Sequence, residues 1–316
     1  MASSLIALAF LASLISAGAQ LNPNFYDAVC PKALSTIRMV VEEAIAEEPR
    51  MGASLLRLHF HDCFVNGCDG SILLDDTPAF TGEKTAKPNK NSLRGFEVVD
   101  RIKAAVDSAC NGSLVSCADI LAVAARDSVV ALGGPSYRVQ LGRRDSTTAS
   151  TADAVSNMPS STSDFPALLS NFLSHGLSLA DLVVLSGAHT LGFARCASFK
   201  ARLYNETGAV DGRLAGSLKA RCPPRGGNNR LAPLDGSPAA FDTAYFGGLM
   251  GKKGLLHSDQ QLFKGDGGGS DGLVKYYSEN PKAFVDDFGA SMVRMGNMRP
   301  ITGSNGEVRI NCRKVN

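Results

Sequence analysis

The 316-residue sequence has no tryptophan, no C-x-x-C pair and no H-E-x-x-H stretch. Missing C-x-x-C pairs argue against a structural zinc site, and the missing H-E-x-x-H excludes the common zinc-hydrolase signature. Charge of one sign is also lacking: 32 Lys and Arg face 30 Asp and Glu, a formal net charge of +2. Neither nucleic acid nor an anionic membrane is therefore expected as a main partner. Beyond residue 19 no uncharged apolar run reaches the roughly 18 residues a membrane-crossing helix needs. Hydrophobic residues make up 44% and charged residues 20%, which excludes disorder over most of the chain.

What is present begins with a leader. Residues 1–19 carry no charged side chain, Leu5–Ile15 is apolar, and Ala17-Gly18-Ala19 has the small-x-small pattern of a signal-peptidase site. Cleavage before Gln20 is expected, leaving residues 20–316 as the acting unit. All eight cysteines, at positions 30, 63, 68, 110, 117, 196, 222 and 312, lie beyond that cut. In an oxidising compartment they suggest four disulfides, among roughly 105 ways of pairing eight cysteines. Asn111-Gly112-Ser113 and Asn205-Glu206-Thr207 are glycosylation sequons.

Apolar residues recur mostly at helical spacing. Helices are expected over 33–48, 96–109, 116–131, 164–175, 178–186, 239–250 and 281–295. The 116–131 segment is nearly all apolar and opens with Ser116 three residues before Asp119, a start resembling a capping box. The best strand signal is Tyr137–Leu141. Long loops rich in Gly, Pro, Ser and Asn are expected over 75–91, 145–163 and 223–238, with no internal repeat and no clean linker.

The chemistry concentrates in RLHFHDCFVNGCDGS, residues 57–71. On a helix, Arg57 and His61 are spaced i,i+4 and share a face. A permanently charged guanidinium beside a base that titrates near neutrality suits cleavage of a polar bond: one moves the proton, the other stabilises developing negative charge. Asp62, Asp69 and Ser71, with Glu83 further on, offer oxygen ligands in a Gly-bearing loop bounded by two close cysteines, chemistry that suits calcium in a spacing other than the EF-hand's. His59, His175 and His257 read as local hydrogen-bonding or solvent-facing residues, and Arg143-Arg144-Asp145 as a structural ion pair. Met292, Met295 and Met298 read as core.

RLHFHDCFVNGCDGSILL resembles the distal signature of the secretory plant (class III) haem peroxidases, and DLVVLSGAHTLGFARC at 181–196 resembles their proximal signature. The resemblance runs from Gln20 to Cys312 and includes the eight cysteines, VSCADILAVAARDSV and LGRRDS. It implies a mostly α fold with ten or more helices in distal and proximal halves around one haem b, minimal β structure and four disulfides, Cys30–Cys110, Cys63–Cys68, Cys117–Cys312 and Cys196–Cys222. By the same resemblance His189 would ligate iron with Asp259 behind it, His61 would be the acid-base catalyst oriented by Asn89, and Arg57 the charge stabiliser. Phe60 would shape the pocket, Arg50, Ser54 and Ser92 would contact the haem propionates, and Pro159 the donor.

Two calcium ions are implied. The distal one would use Asp62, Val65, Gly67, Asp69, Ser71 and Glu83; the proximal one Thr190, Asp235, Ser237 and Asp242. LDGSPAAFD has one residue fewer between Asp235 and its Ser-Pro step than the family's usual pattern, which bears on where Asp235 falls. Tyr137 stands where the family usually has Trp. The expected activity is reduction of hydrogen peroxide with one-electron oxidation of small phenolic donors, by a monomer in the extracellular space or cell wall. Only four residues follow Cys312, so no vacuolar extension is expected. The alternatives weighed are a non-catalytic secreted calcium-binding glycoprotein, which would have no use for His189 with Asp259, and a hydrolase, which would need a nucleophile beside a base or paired carboxylates.

Overall fold

The structure, a computed structural model, describes residues 20–206 and 208–316. The expected leader and its cleavage site up to Ala19 lie outside the described residues. Four helices form the first half: α1 (Ala33–Glu47), α2 (Arg50–Cys63), α3 (Phe96–Ala109) and α4 (Cys117–Ala131). Helix α4 is buried along nearly its whole length, as an apolar surface on all sides demands, and packs against α1, α2 and α3. Ser116 caps it by accepting from the Asp119 N–H at 3.2 Å. Only half of the capping box forms, because the Asp119 carboxylate is drawn to Tyr26, Gly142 and the buried Arg143 guanidinium, the last at 2.8 Å. Arg143 is therefore the structural ion pair expected of it, with Asp119 as its partner.

The second half contains α5 (Thr151–Ser156), α6 (Phe165–Ser174) and α7 (Leu179–Ser186), then a 3-10 turn over Gly187–Thr190. A complete capping box, Ser178 with Asp181, opens α7. Strand β1 (Phe193–Arg195), α8 (Cys196–Asn205), α9 (Gly212–Arg221) and β2 (Leu231–Pro233) follow. Next come α10 (Ala244–Met250), α11 (His257–Gln260), α12 (Gly269–Glu279) and α13 (Pro281–Gly296). β1 and β2 pair antiparallel, Ala194 opposite Ala232, as the one two-stranded sheet among the described residues. No single described helix is long and apolar enough to cross a membrane.

One hydrophobic core draws on both halves, from α1 to α4 and from α6, α7, α10, α12 and α13. A smaller one, under α8, α9 and β2, is stapled by Cys196–Cys222. The other bridges are Cys30–Cys110, Cys63–Cys68 and Cys117–Cys312, the pairing the resemblance implied. The halves touch closely at Gly192, whose φ is +94°; a Cβ there would meet the Ala53 Cβ of α2 at 2.8 Å.

Several elements differ from expectation. Tyr137–Leu141 is not a strand: Arg126 takes the Tyr137 carbonyl at 3.2 Å and Arg143 takes the Gln140 carbonyl, leaving only a bridge from Leu141 to Asn22. The helix expected from 239 starts at Ala244, because Asp242 is held by Thr190 and Ser237 and the Phe241 N–H by Leu132. Within the expected 145–163 loop, Ser150 caps α5, and Asp211 caps α9, where no helix was expected.

Candidate active site

Arg57 and His61 fall on one face of α2, one turn apart, and Arg57 Nε donates to His61 Nε2 at 3.1 Å. The other ring nitrogen, Nδ1, lies 2.6 Å from Asn89 Oδ1, and Asn89 Nδ2 donates to the Glu83 carbonyl at 2.9 Å. These contacts fix the tautomer. The amide oxygen only accepts, so Nδ1 carries the proton; the guanidinium only donates, so Nε2 presents its lone pair. Burial, and next the Arg57 charge, hold the His61 pKa well below 6.5, with the Asn89 bond opposing them. His61 is thus a neutral base at neutral pH.

Arg57 is anchored by the Ser92 carbonyl at 3.0 Å, the Ser92 hydroxyl at 3.1 Å and the Pro88 carbonyl at 3.3 Å. Its side chain is exposed to solvent, yet desolvation, together with the charges of Arg195 and Arg50, pulls its pKa to about 10. With a pKa of about 10, Arg57 stays charged at neutral pH.

The 3-10 turn after α7 carries His189. Its Nδ1 donates to Asp259 Oδ1 at 2.7 Å. Asp259 is 2% exposed, whereas the His189 side chain is 39% exposed. With Nδ1 tied, Nε2 makes no hydrogen bond among the described residues and is the nitrogen available to a metal. Burial alone would lower the His189 pKa, but attraction and hydrogen bonding to Asp259 outweigh it and the net shift is upward. The Arg57 charge opposes that rise, and the close contact of Gly192 with Ala53 sets the turn that carries His189 against α2, which carries Arg57.

Phe60, half-buried, sets its ring edge-on to His61 at 5.5 Å. Arg50 lies at the start of α2 with its guanidinium 6.0 Å from the exposed Phe193 ring. One turn on, the Ser54 hydroxyl donates to the Arg50 carbonyl at 3.2 Å. Ser92 is committed to Arg57. Pro159 is half-buried between α5 and α6, near Ser161, whose carbonyl accepts from the Ser258 N–H at 3.1 Å beside Asp259.

Two oxygen clusters adjoin the histidines, one beginning at Asp62 next to His61 and one at Thr190 next to His189. Asp62 and Glu83 are fully buried, Asp69 and Ser71 nearly so, and Val65 and Gly67 are buried in the same loop. Asp62 accepts from Gly70 N and Ile72 N, Asp69 from Ser71 N at 2.9 Å, and Asn157 donates to the Val65 carbonyl at 2.9 Å. Glu83 Oε2 and Ser71 Oγ, both buried, have no hydrogen-bond partner. Burial raises the pKa of all three carboxyls, mutual repulsion adds to the rise in Asp62 and Glu83, and Glu83 is pushed to about 8. Crowded carboxyls beside orphaned oxygens fit a hard divalent cation.

In the second cluster, Thr190 Oγ1 lies 2.9 Å from Asp235 Oδ2 and 3.0 Å from Asp242 Oδ1. Ser237 Oγ donates to Asp242 Oδ2 at 2.7 Å, and Ser237 N to Asp235 Oδ1 at 2.8 Å. The shortened Asp-to-Ser-Pro spacing still delivers Asp235 onto Thr190. One hydroxyl proton cannot serve two carboxylates at once, so this cluster also has the chemistry of a cation site.

The other histidines are satisfied locally. His175 bonds the Asn171 and Phe64 carbonyls, and His257 bonds Glu206 and Asp164. His59 packs on Cys63 Sγ at 3.6 Å; His59, Cys63 and Cys68 bring ligand-type atoms together, but both sulfurs are in a disulfide and offer no thiolate. Gly268-Gly269-Ser270-Asp271-Gly272 spells G-x-S-x-G, yet Ser270 sits in the first turn of α12 after a loop, without the strand-to-helix turn that exposes a nucleophile. Asn111 and Asn205 are exposed. Missed by sequence reasoning was Tyr245, whose hydroxyl donates to Asp259 Oδ1 at 3.1 Å; only its place three residues after Asp242 could have flagged it.

The chain matches the family model described as Peroxidase over residues 37–280. It is 60% identical to Peroxidase RIP1 of Medicago truncatula over 312 residues, covering 98% of this chain and 96% of that one. It is 57% identical to Peroxidase 70 of Zea mays over 99% and 97% of the two chains, and 55% identical to Peroxidase P7 of Brassica rapa subsp. rapa over 94% and 100%.

Proposed function

This chain belongs to the peroxidase family, in its secretory plant class III branch, and from that premise we propose how its residues divide the work of reducing hydrogen peroxide and oxidising small phenolic donors. One observation carries the assignment: a carboxylate-backed imidazole on the turn after α7 and a guanidinium-flanked neutral imidazole on α2, two elements that Gly192 and Ala53 bring into close contact. The residues fit haem, because His189 has one nitrogen tied and the other free, on a side chain that is 39% exposed. When bound, haem supplies the iron that takes up the two oxidising equivalents of the peroxide and passes them on singly.

His189 Nε2 would hold the iron, and Asp259, accepting the Nδ1 proton, would make that imidazole a stronger electron donor. His61 Nε2 would take a proton from one peroxide oxygen and return it to the other as it leaves as water. Arg57 would then swing its Nε–H from His61 to the negative charge developing on the separating oxygens. Asn89 would keep the Nδ1 proton in place so that Nε2 remains the working nitrogen. Arg50 and Ser54 would meet the haem propionates, Ser92 would position Arg57, and Phe60 and Pro159 would border the donor's approach.

The two oxygen clusters would each hold calcium, fixing the C-terminal end of α2 and the turn that carries His189. Residues 20–316 would act as one unit, monomeric and extracellular, after removal of residues 1–19; the disulfides suit that compartment. A calcium-binding glycoprotein without catalysis is disfavoured by the kinship to peroxidases and by the His189–Asp259 pair.

Stopped-flow spectroscopy of the haem-loaded protein tests the roles. His61→Ala should keep its haem and slow peroxide cleavage by roughly 100- to 10,000-fold, the usual worth of a positioned acid-base group. Because only neutral His61 is a base and its pKa lies below 6.5, cleavage by the unmodified protein should stay level as pH falls through 6.5 and decline only at lower pH. An undiminished rate in His61→Ala would remove that residue from the mechanism.

A further inference from the structure

Asp259 Oδ1 accepts two side-chain hydrogen bonds, from His189 Nδ1 at 2.7 Å and from the Tyr245 hydroxyl at 3.1 Å. Its second oxygen accepts the Leu256 N–H at 3.1 Å. Asp259 and Tyr245 are each only 2% exposed, so bulk water cannot readily replace a lost partner. The tyrosine ring is held at the start of α10, edge-on to Phe246 at 5.3 Å, and lies 6.1 Å from the His189 ring. Tyr245, itself buried, therefore shares an acceptor atom with the imidazole.

A donor on a carboxylate oxygen draws off part of its charge and leaves less to polarise any other donor on that atom. We propose that Tyr245 is a positioning residue that limits how much of the Asp259 charge reaches His189, and so sets the electron donation of that imidazole to the iron. The proposal rests on the reading of His189 as the iron ligand. A purely structural tyrosine would fill the same space, and phenylalanine would replace it without electronic effect. A tuning tyrosine is revealed when the hydroxyl alone is removed: Asp259 then pulls harder on the Nδ1 proton, the imidazole gains anionic character, and the ferric state is favoured over the ferrous.

The test is the ferric/ferrous midpoint of the haem-loaded protein by spectroelectrochemistry, in the unmodified chain and in Tyr245→Phe. A tenfold shift of the equilibrium toward ferric, a fall of about 59 mV for this one-electron couple, is expected. An unchanged or raised midpoint overturns the proposal. A second measurement guards against a variant that folds poorly: of the six tyrosines, only Tyr245 bonds Asp259 among the described residues, so biosynthetic replacement of tyrosine by 3-fluorotyrosine, a stronger donor, should raise the midpoint, and no rise counts against the proposal. If the unmodified chain takes up no haem, the reading of His189 fails and the proposal with it; a normal haem spectrum with unmoved midpoints defeats the role of Tyr245 alone.

Discussion

Position by position, the site is legible where the backbone period alone brings groups together. Arg57 and His61 meet because they are one helical turn apart, and nothing beyond α2 is needed to place them. Asn89 and Asp259 reach their histidines across long sequence gaps, so only the resemblance to known peroxidases, not periodicity, pointed to them. Tyr137 shows a cost at the same scale. Its hydroxyl is buried with no hydrogen-bond partner where the family usually places Trp, and an unsatisfied buried donor costs about 1–3 kcal/mol. Tyr137→Phe, which keeps the ring and removes the orphan, should raise the free energy of unfolding in urea by about 1 kcal/mol. A loss of stability would show that the hydroxyl is satisfied in solution.

Among the elements, α1, α3, α4, α6, α7 and α13 were readable because burial of an apolar stripe or an all-apolar surface decided them. The strand expected at Tyr137–Leu141 failed because arginine side chains compete for its carbonyls, an effect no local pattern encodes. Short α5 and α9 depend on their caps, Ser150 and Asp211, more than on periodicity. The distal loop after α2 carries a prediction of its own. Glu83 rises from an ordinary 4.5 to about 8, so in the calcium-free loop the stability its protonated form contributes is complete below pH 4.5 and is lost as pH climbs toward 8. Calcium needs the ionised carboxyls, so its binding strengthens over the same window. Calcium at a hundredfold its dissociation constant adds about 2.7 kcal/mol per site. The rise in Tm on replacing chelator by calcium should therefore be larger at pH 8 than at pH 5. Equal rises at both values would remove the buried carboxyls from cation binding.

For the whole molecule, the fold's main act is to bring distant stretches of the chain together. Length alone allowed two separate cores, but the larger core runs through both halves, and Cys117–Cys312 ties α4 to the C-terminal segment. Close contact at Gly192 and Ala53 brings the turn bearing His189 against α2. The motifs made this juxtaposition readable as an expectation. The basic lobe built on α8 and α9, with its own small core, was not anticipated, because Lys200, Arg202, Arg213, Lys219 and Arg221 dilute the few apolar residues of its helices. The central claim is that α2 and the turn after α7 hold one haem through His189. Absorbance spectroscopy of the chain and of His189→Ala, each loaded with haem under identical conditions, tests it most directly. A Soret band in the unmodified protein that is lost or displaced in His189→Ala is the predicted result; no Soret band in the unmodified protein, or identical spectra for the two, would contradict it.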